Sequence, residues 1–251
     1  MLWREVITPY GIFVSEIMLQ QTQVSRIVGK YTEFIKELPT FDALADASLS
    51  QLLSLWQGIG YNRRALYMQR SAQLIVRDYN GLLPQDPNIL VTFPGIGKAT
   101  AASIVVYAYN RAVPFIETNV RRVFIHHFFG DKINVDDKEL WPFVEEAMQG
   151  EDPREWYYAL MDYGTMLAKT IPNPNKKSKH YVVQSKFEGS RRQLRGKILN
   201  YLLAAVNDER PVNAENIVNT VKSEPDTVYS VLDELKEEGF VMEKGGEYRI
   251  K

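Results

Sequence analysis

The sequence predicts a mainly α-helical protein, two-lobed over most of its length and closed by a small helical segment with a C-terminal β-hairpin. Three observations lead there. Apolar residues recur at three- and four-residue spacing in successive blocks from Tyr10 to Lys169. Short breaker clusters separate the blocks, among them Leu38-Pro39-Thr40, Gly58-Ile59-Gly60, Asn80-Gly81 and Pro94-Gly95-Ile96-Gly97. No period-two alternation occurs before the C-terminal segment.

The first helix starts near Tyr10, and Ile12, Phe13, Val14, Ile17, Met18 and Leu19 make it apolar nearly all round, which predicts burial. Residues 25–37 carry Ile27, Val28, Tyr31, Phe34 and Ile35 at helical spacing. Two more helices follow over 41–47 and 48–56, the second capped by Ser48 or Ser50. Residues 65–79 form a helix that Asn80-Gly81 ends, and a short helix precedes the Pro94 turn. An alanine-rich helix over 98–109 comes next, then a charged loop through Arg122, a helix over 123–129, and helices over 138–148 and 154–169. From Ser190 the texture changes. Helices over 194–206, 213–221 and 225–238, with a hairpin around Gly245-Gly246, predict a winged helix-turn-helix domain over 190–251 after a larger domain over 1–189. Its third helix carries Asp226, Asp233, Glu234, Glu237 and Glu238, a poor surface for a major groove, so docking to a protein partner or to another domain is favoured over base reading.

At 251 residues, with 45% hydrophobic and 24% charged residues, the chain is long enough to bury a sizeable core. Its net charge of −1 provides no global basic field, so any nucleic-acid surface must be a local patch. There is no cysteine, which excludes disulfides and cysteine-ligated zinc or iron–sulfur clusters. No cofactor or metal is expected: His126 and His127, adjacent on one helix, point about 100° apart and read as structural. No segment has the length of a membrane span and no signal-peptide pattern opens the chain, so a cytoplasmic protein with no membrane partner is expected.

The chemistry concentrates in three places. Pro94-Gly95-Ile96-Gly97 breaks the chain just before the helix that Lys98 opens. Gly95 and Gly97 thus lie where backbone N–H groups lack intrahelical partners and suit a phosphate, to which Lys98 adds charge; an ordinary interhelical turn has the same look. Glu16 lies inside the buried first helix. Burial raises a carboxyl pKa, the condition a general acid needs near neutral pH; a structural glutamate held by an arginine or by N–H donors is the commoner case for a lone buried acid. The third place is Gly58-Ile59-Gly60-Tyr61-Asn62-Arg63-Arg64, where Tyr61 could wedge into a base step and Arg63 and Arg64 meet phosphates, or the arginines simply face solvent.

The turn and the following Glu117-Thr118-Asn119 together resemble the helix-hairpin-helix (HhH-GPD) DNA glycosylase superfamily. The run Ser15-Glu16-Ile17-Met18-Leu19-Gln20-Gln21-Thr22-Gln23-Val24 is similar to the signature of its adenine-specific mismatch (MutY-type) branch, and Gly58 to Tyr61 and Met161-Asp162-Tyr163-Gly164 resemble further segments. The resemblance covers roughly residues 3–170. It implies base excision repair of double-stranded DNA containing a mismatch or lesion. The hairpin grips a phosphate, Gln20, Gln21 and Tyr61 enter the duplex, and a nucleotide is flipped out. Cleaving a base from deoxyribose needs a proton donor for the base and a negative charge beside the oxocarbenium-like sugar. Glu16 and Glu117 are the candidates, with Asn119 orienting the site. Adenine opposite G or 8-oxoguanine is the favoured target.

The chain departs from the family in four ways. Glu117 stands where the family has aspartate, and its extra methylene moves the carboxylate by about 1.5 Å unless the chain retreats. Ala99 stands where lyase members resembling endonuclease III carry a Schiff-base lysine, which implies a monofunctional enzyme. The cluster's cysteines are missing from residues 171–180, a lysine-rich stretch that either contacts phosphates or is a solvated linker. A winged helix replaces the domain that reads 8-oxoguanine. The alternatives are a lyase or endonuclease acting on abasic or oxidised-pyrimidine DNA, and a non-catalytic DNA-binding regulator.

Overall fold

The computed structural model describes residues 1–207 and 210–251. Its helices are α1 (Leu2–Glu5), α2 (Pro9–Leu19), α3 (Val24–Glu37), α4 (Phe41–Asp46), α5 (Leu49–Trp56), α6 (Arg63–Tyr79), α7 (Pro87–Leu90), α8 (Lys98–Tyr109), α9 (Thr118–Phe128), α10 (Asp137–Ala147) and α11 (Pro153–Thr170). A 3-10 turn (Pro174–Lys177) follows, then α12 (Arg191–Asn207), α13 (Ala214–Val221), α14 (Pro225–Glu238) and a hairpin of β1 (Val241–Lys244) and β2 (Glu247–Ile250). Among the described residues no helix is long and apolar enough to cross a membrane.

The helix starts follow from side-chain chemistry. Thr40 and Ser48 accept from the N–H groups of Ala43 and Gln51, each at 3.1 Å. Asp152 accepts from Glu155 N–H, with Pro153 pre-setting the first turn. Asp136 with Glu139, and Asn213 with Asn216, form reciprocal capping boxes. Asn80, Asn110 and Gly239 close α6, α8 and α14 in the left-handed conformation.

The chain divides into two compact units that do not follow chain order: residues 1–17 with 83–184, and residues 18–82 with 185–251. In the first, α8, α9 and α11 enclose a core that includes Ile12, Val106, Phe115, Val120, Phe124 and Tyr157. The Phe115 and Tyr157 rings stack at 3.9 Å, and the Tyr157 hydroxyl donates to Phe115 O while accepting from its N–H. Packing between α9 and α11 is tightest at Gly164, where a Cβ would lie 2.6 Å from Asn119 Cβ and 2.8 Å from its carbonyl oxygen. Backbone cannot yield at that distance. Gly164→Ala is therefore expected to cost about 1–3 kcal/mol through overpacking, read as a lowered denaturant midpoint, and to displace Asn119.

In the second unit, Leu53 and Leu66 join a core with Leu194, Leu199, Leu202, Ile217, Val228, Leu232 and Phe240. Residues 190–251 thus share their core with α5 and α6. The hairpin pairs Val241 with Ile250 and Lys244 with Glu247. Gly245 and Gly246 both take positive φ, 63° and 82°, as its two-residue turn requires.

Candidate active site

Glu16 sits on α2 with one oxygen, Oε2, accepting from the Ser103 hydroxyl of α8 at 2.6 Å. Burial lifts its pKa to about 7. The Ser103 hydrogen bond opposes the rise, the charge of Glu117 adds to it, and Arg4 opposes it. Arg4 Nη1 donates to both carboxylate oxygens of Asp162, at 2.9 and 3.0 Å, and its guanidinium lies 4.3 Å from the centre of the Tyr158 ring. Tyr158 in turn stacks on Tyr107 at 4.8 Å and 8°. Burial drives both phenols up, Tyr158 to about 12 and Tyr107 well above its ordinary value, with the charges of Glu16 and Glu117 adding to the Tyr107 shift.

Glu117 belongs to the same unit and is the N-cap of α9, its Oε1 accepting from the N–H groups of Asn119 and of Val120, the latter at 2.8 Å. Burial raises the Glu117 pKa, while the two backbone donors, then Arg121 and Arg122, pull it down. Asn119 is held by Arg122, whose Nη1 donates 2.7 Å to Asn119 Oδ1 and 2.7 Å to Gly164 O.

Underneath, the 3-10 turn braces this helix start. Asn175 Nδ2 donates 2.9 Å to Thr118 O, and Arg122 Nε donates 3.3 Å to Asn173 Oδ1. Residues 173–178 are thus more than a solvated linker: Pro174, Asn175 and Ser178 are buried. Lys177 and Lys179, both expected to be available to phosphates, donate to Gly130 O and Asp136 instead.

At the Pro94 turn, Gly95 takes φ 74°, which needs glycine. Gly97 does not: its φ is −86°, and a Cβ there would meet no atom within 4 Å. Nothing among the described residues requires glycine at 97, whereas a group approaching the backbone from outside would. Lys98 is exposed at the first position of α8. His127 bonds to the Tyr163 hydroxyl at 2.8 Å, and no group of metal-ligating side chains occurs among the described residues.

The remaining candidates, Gln20, Gln21, Tyr61, Arg63 and Arg64, lie in the second unit. Among the described residues, six other than glycine have positive φ. Three are asparagines, which tolerate that conformation, and Lys222 closes α13; the other two are Gln21 and Tyr61, at 53° and 52°. Backbone strain of this kind concentrates at functional positions. Arg64 departs from its expected role. Its guanidinium donates to Met18 O and Gln20 O, to Thr22 Oγ1 at 2.8 Å and to Gly60 O at 3.1 Å, so the carbonyls left over at the end of α2 occupy it and a phosphate does not. Arg63 pairs with Glu238.

Sequence reasoning passed over Ser103, Arg4 and the two tyrosines. Ser103 had a signal: it is the one hydroxyl in the run Ala101-Ala102-Ser103-Ile104-Val105-Val106. Arg4 and Tyr158 had none, since they meet each other across more than 100 residues of chain.

A family model described as HhH-GPD superfamily base excision DNA repair protein matches residues 14–142, just over half of the chain. The chain belongs to that superfamily. An adenine DNA glycosylase of Buchnera aphidicola subsp. Baizongia pistaciae is 34% identical to this HhH-GPD chain over 178 residues, 69% of this chain and 50% of that protein. One from Mycobacterium tuberculosis H37Rv is 33% identical over 235 residues, 81% of this chain and 73% of that protein. The chain therefore spans half the length of the first relative and nearly three quarters of the second. Among solved structures, a thermostable thymine-DNA glycosylase superposes with a TM-score of 0.61 at 26% identity, covering 70% of this chain and 82% of that one.

Proposed function

We propose that this protein is a monofunctional DNA glycosylase that flips a nucleotide out of a mismatched or damaged duplex and hydrolyses its N-glycosidic bond. The observation that carries the reading is the unequal treatment of two neighbouring carboxyl groups. Glu16, lifted to about 7, holds a proton near neutral pH. Burial raises Glu117 as well, but two backbone donors and two arginines oppose that rise, where Glu16 has one serine and one arginine. The better-supported charge suits Glu117 to the stabilising role and Glu16 to the acid role. Glu16 gives its proton to the departing base as the bond to the sugar breaks, and the Glu117 carboxylate stabilises the positive sugar until water adds and gives up a proton to the now ionised Glu16. Asn119, locked by Arg122, orients that water or the sugar.

Gly95, Gly97 and Lys98 take a backbone phosphate, the open space at Gly97 allowing the oxygen to come close. Gln20, Gln21 and Tyr61 enter the duplex to hold the extruded state, with Arg63 beside them, its half-exposed guanidinium shared between Glu238 and a phosphate. Arg64 fixes the Gln20 carbonyl and the Gly60 loop together. Residues 190–251 are a winged-helix module on a glycosylase domain over 1–189. Adenine opposite G or 8-oxoguanine is the favoured target, supported by likeness to two proteins named for adenine. The Ala99 position supports base release without strand cleavage.

The test is free-base release, identified by mass spectrometry, from A:G, A:8-oxoguanine, T:G, U:G and 5-hydroxyuracil duplexes, with and without alkali. Adenine release, with strand breaks only after alkali, is expected. Breaks without alkali would make the protein a lyase, and duplex binding with no base released would make it a non-catalytic binder.

A further inference from the structure

We propose that Arg192, from the C-terminal segment, is a positioning residue that sets the Tyr61 ring for entry into the duplex; the inference rests on the wedge role proposed for Tyr61. Tyr61 takes a left-handed backbone conformation, which an aromatic residue keeps only where its surroundings impose it. Arg192 is part of those surroundings. Arg192 Nη1 donates 2.7 Å to the Tyr61 hydroxyl, while Nη2 donates 2.8 Å to Ser185 O and 3.1 Å to Ser185 Oγ. The guanidinium is thus fixed by a fork at one end and fixes the phenol at the other. Its carbon lies 5.6 Å from the Tyr61 ring centre, and that of Arg64 lies 5.4 Å away, so two cations flank one ring.

The helix that carries Arg192 is itself held. Arg191 and Arg195 both pair with Glu234, and Arg195 shares Glu238 with Arg63, two residues beyond the tyrosine. Two of the five acids that made α14 unsuited to a major groove are thereby accounted for: Glu234 and Glu238 lock α12 and the start of α6 into one arrangement. The winged-helix segment works here as a clamp on the Tyr61 loop.

The protein is tested on a duplex carrying 2-aminopurine beside an adenine opposite 8-oxoguanine. Fluorescence reports extrusion and single-turnover kinetics report release. Arg192→Ala is expected to lower both rates about tenfold while duplex affinity stays within about twofold, a split that loss of a simple phosphate contact would not give. Tyr61→Phe, which keeps the ring and removes the acceptor, should show the same defect, and the double variant should be no worse than either single one. Arg192→Lys keeps charge without the fork and should recover only part of the rate. Full recovery by lysine, or additive losses in the double variant, would overturn the proposal. So would an unimpaired Arg192→Ala beside a crippled Tyr61→Ala, which would leave the wedge role standing; a Tyr61→Ala protein that extrudes normally would remove both.

Discussion

Glu16→Gln is expected to slow adenine release by about 10²–10⁴-fold, the usual worth of a positioned proton donor. The pH dependence separates this role from a structural one. Wild-type single-turnover release should decline above about pH 7, where Glu16 loses its proton, and the residual rate of the glutamine variant should be flat there. Ser103 donates to the ionised oxygen and so favours the charged form. Ser103→Ala should therefore move the alkaline decline to higher pH. A profile unaffected by either change would remove Glu16 from the chemistry.

The same group predicts a stability effect of opposite sign. The folded protein keeps the Glu16 proton up to about pH 7, while its ordinary value is 4.5. The stabilisation is complete below 4.5, erodes as pH rises, and is gone above 7, a total of about 3 kcal/mol. Glutamine never ionises. The variant's melting temperature should match the wild type at pH 4, pull ahead between 4.5 and 7, and keep a constant lead beyond.

Glu117→Gln is expected to lower the rate by about 10²–10³-fold, the scale seen when one preorganised electrostatic contact to a transition state is removed. It should also shift the alkaline decline to lower pH, because the Glu117 charge is one of the causes that raise Glu16. Glu117→Asp keeps both charge and cap, and aspartate is the better N-cap residue, so its rate should stay within about tenfold of the wild type. If glutamine and aspartate are equally damaging, the position matters for its shape and not for its charge. Single-turnover rates across pH 5–9 for the two variants decide between these outcomes.

Much of this site was legible in the sequence because its signals are local. The turn at Pro94 and the helix from Lys98 to Tyr109 follow from glycine, proline and alanine placement alone, and the structure has them at those residues. Glu16 stood out as an acid in an apolar helix. Local reading failed where a side chain's partner is distant or its residue type misleads. The sequence reads as loop at the helix start at Thr118, because glutamate is an uncommon N-cap and Thr118-Asn119 look like turn residues. The 3-10 turn was hidden by lysines that suggest solvent, although Asn175 among them is buried. Arg64 looked like a phosphate contact because nothing nearby in sequence hints at carbonyls more than 40 residues earlier.

Gln21 is exposed and left-handed, and that pairing has an evolutionary corollary. Glycine at 21 would relieve the backbone and sacrifice no buried contact, raising stability by up to about 1 kcal/mol. Selection for heat resistance alone would then drift toward glycine there. If the amide fills the gap left by an extruded base, the hardier lineage would be the poorer repair enzyme, and retention of glutamine would record what that side chain is worth to the cell.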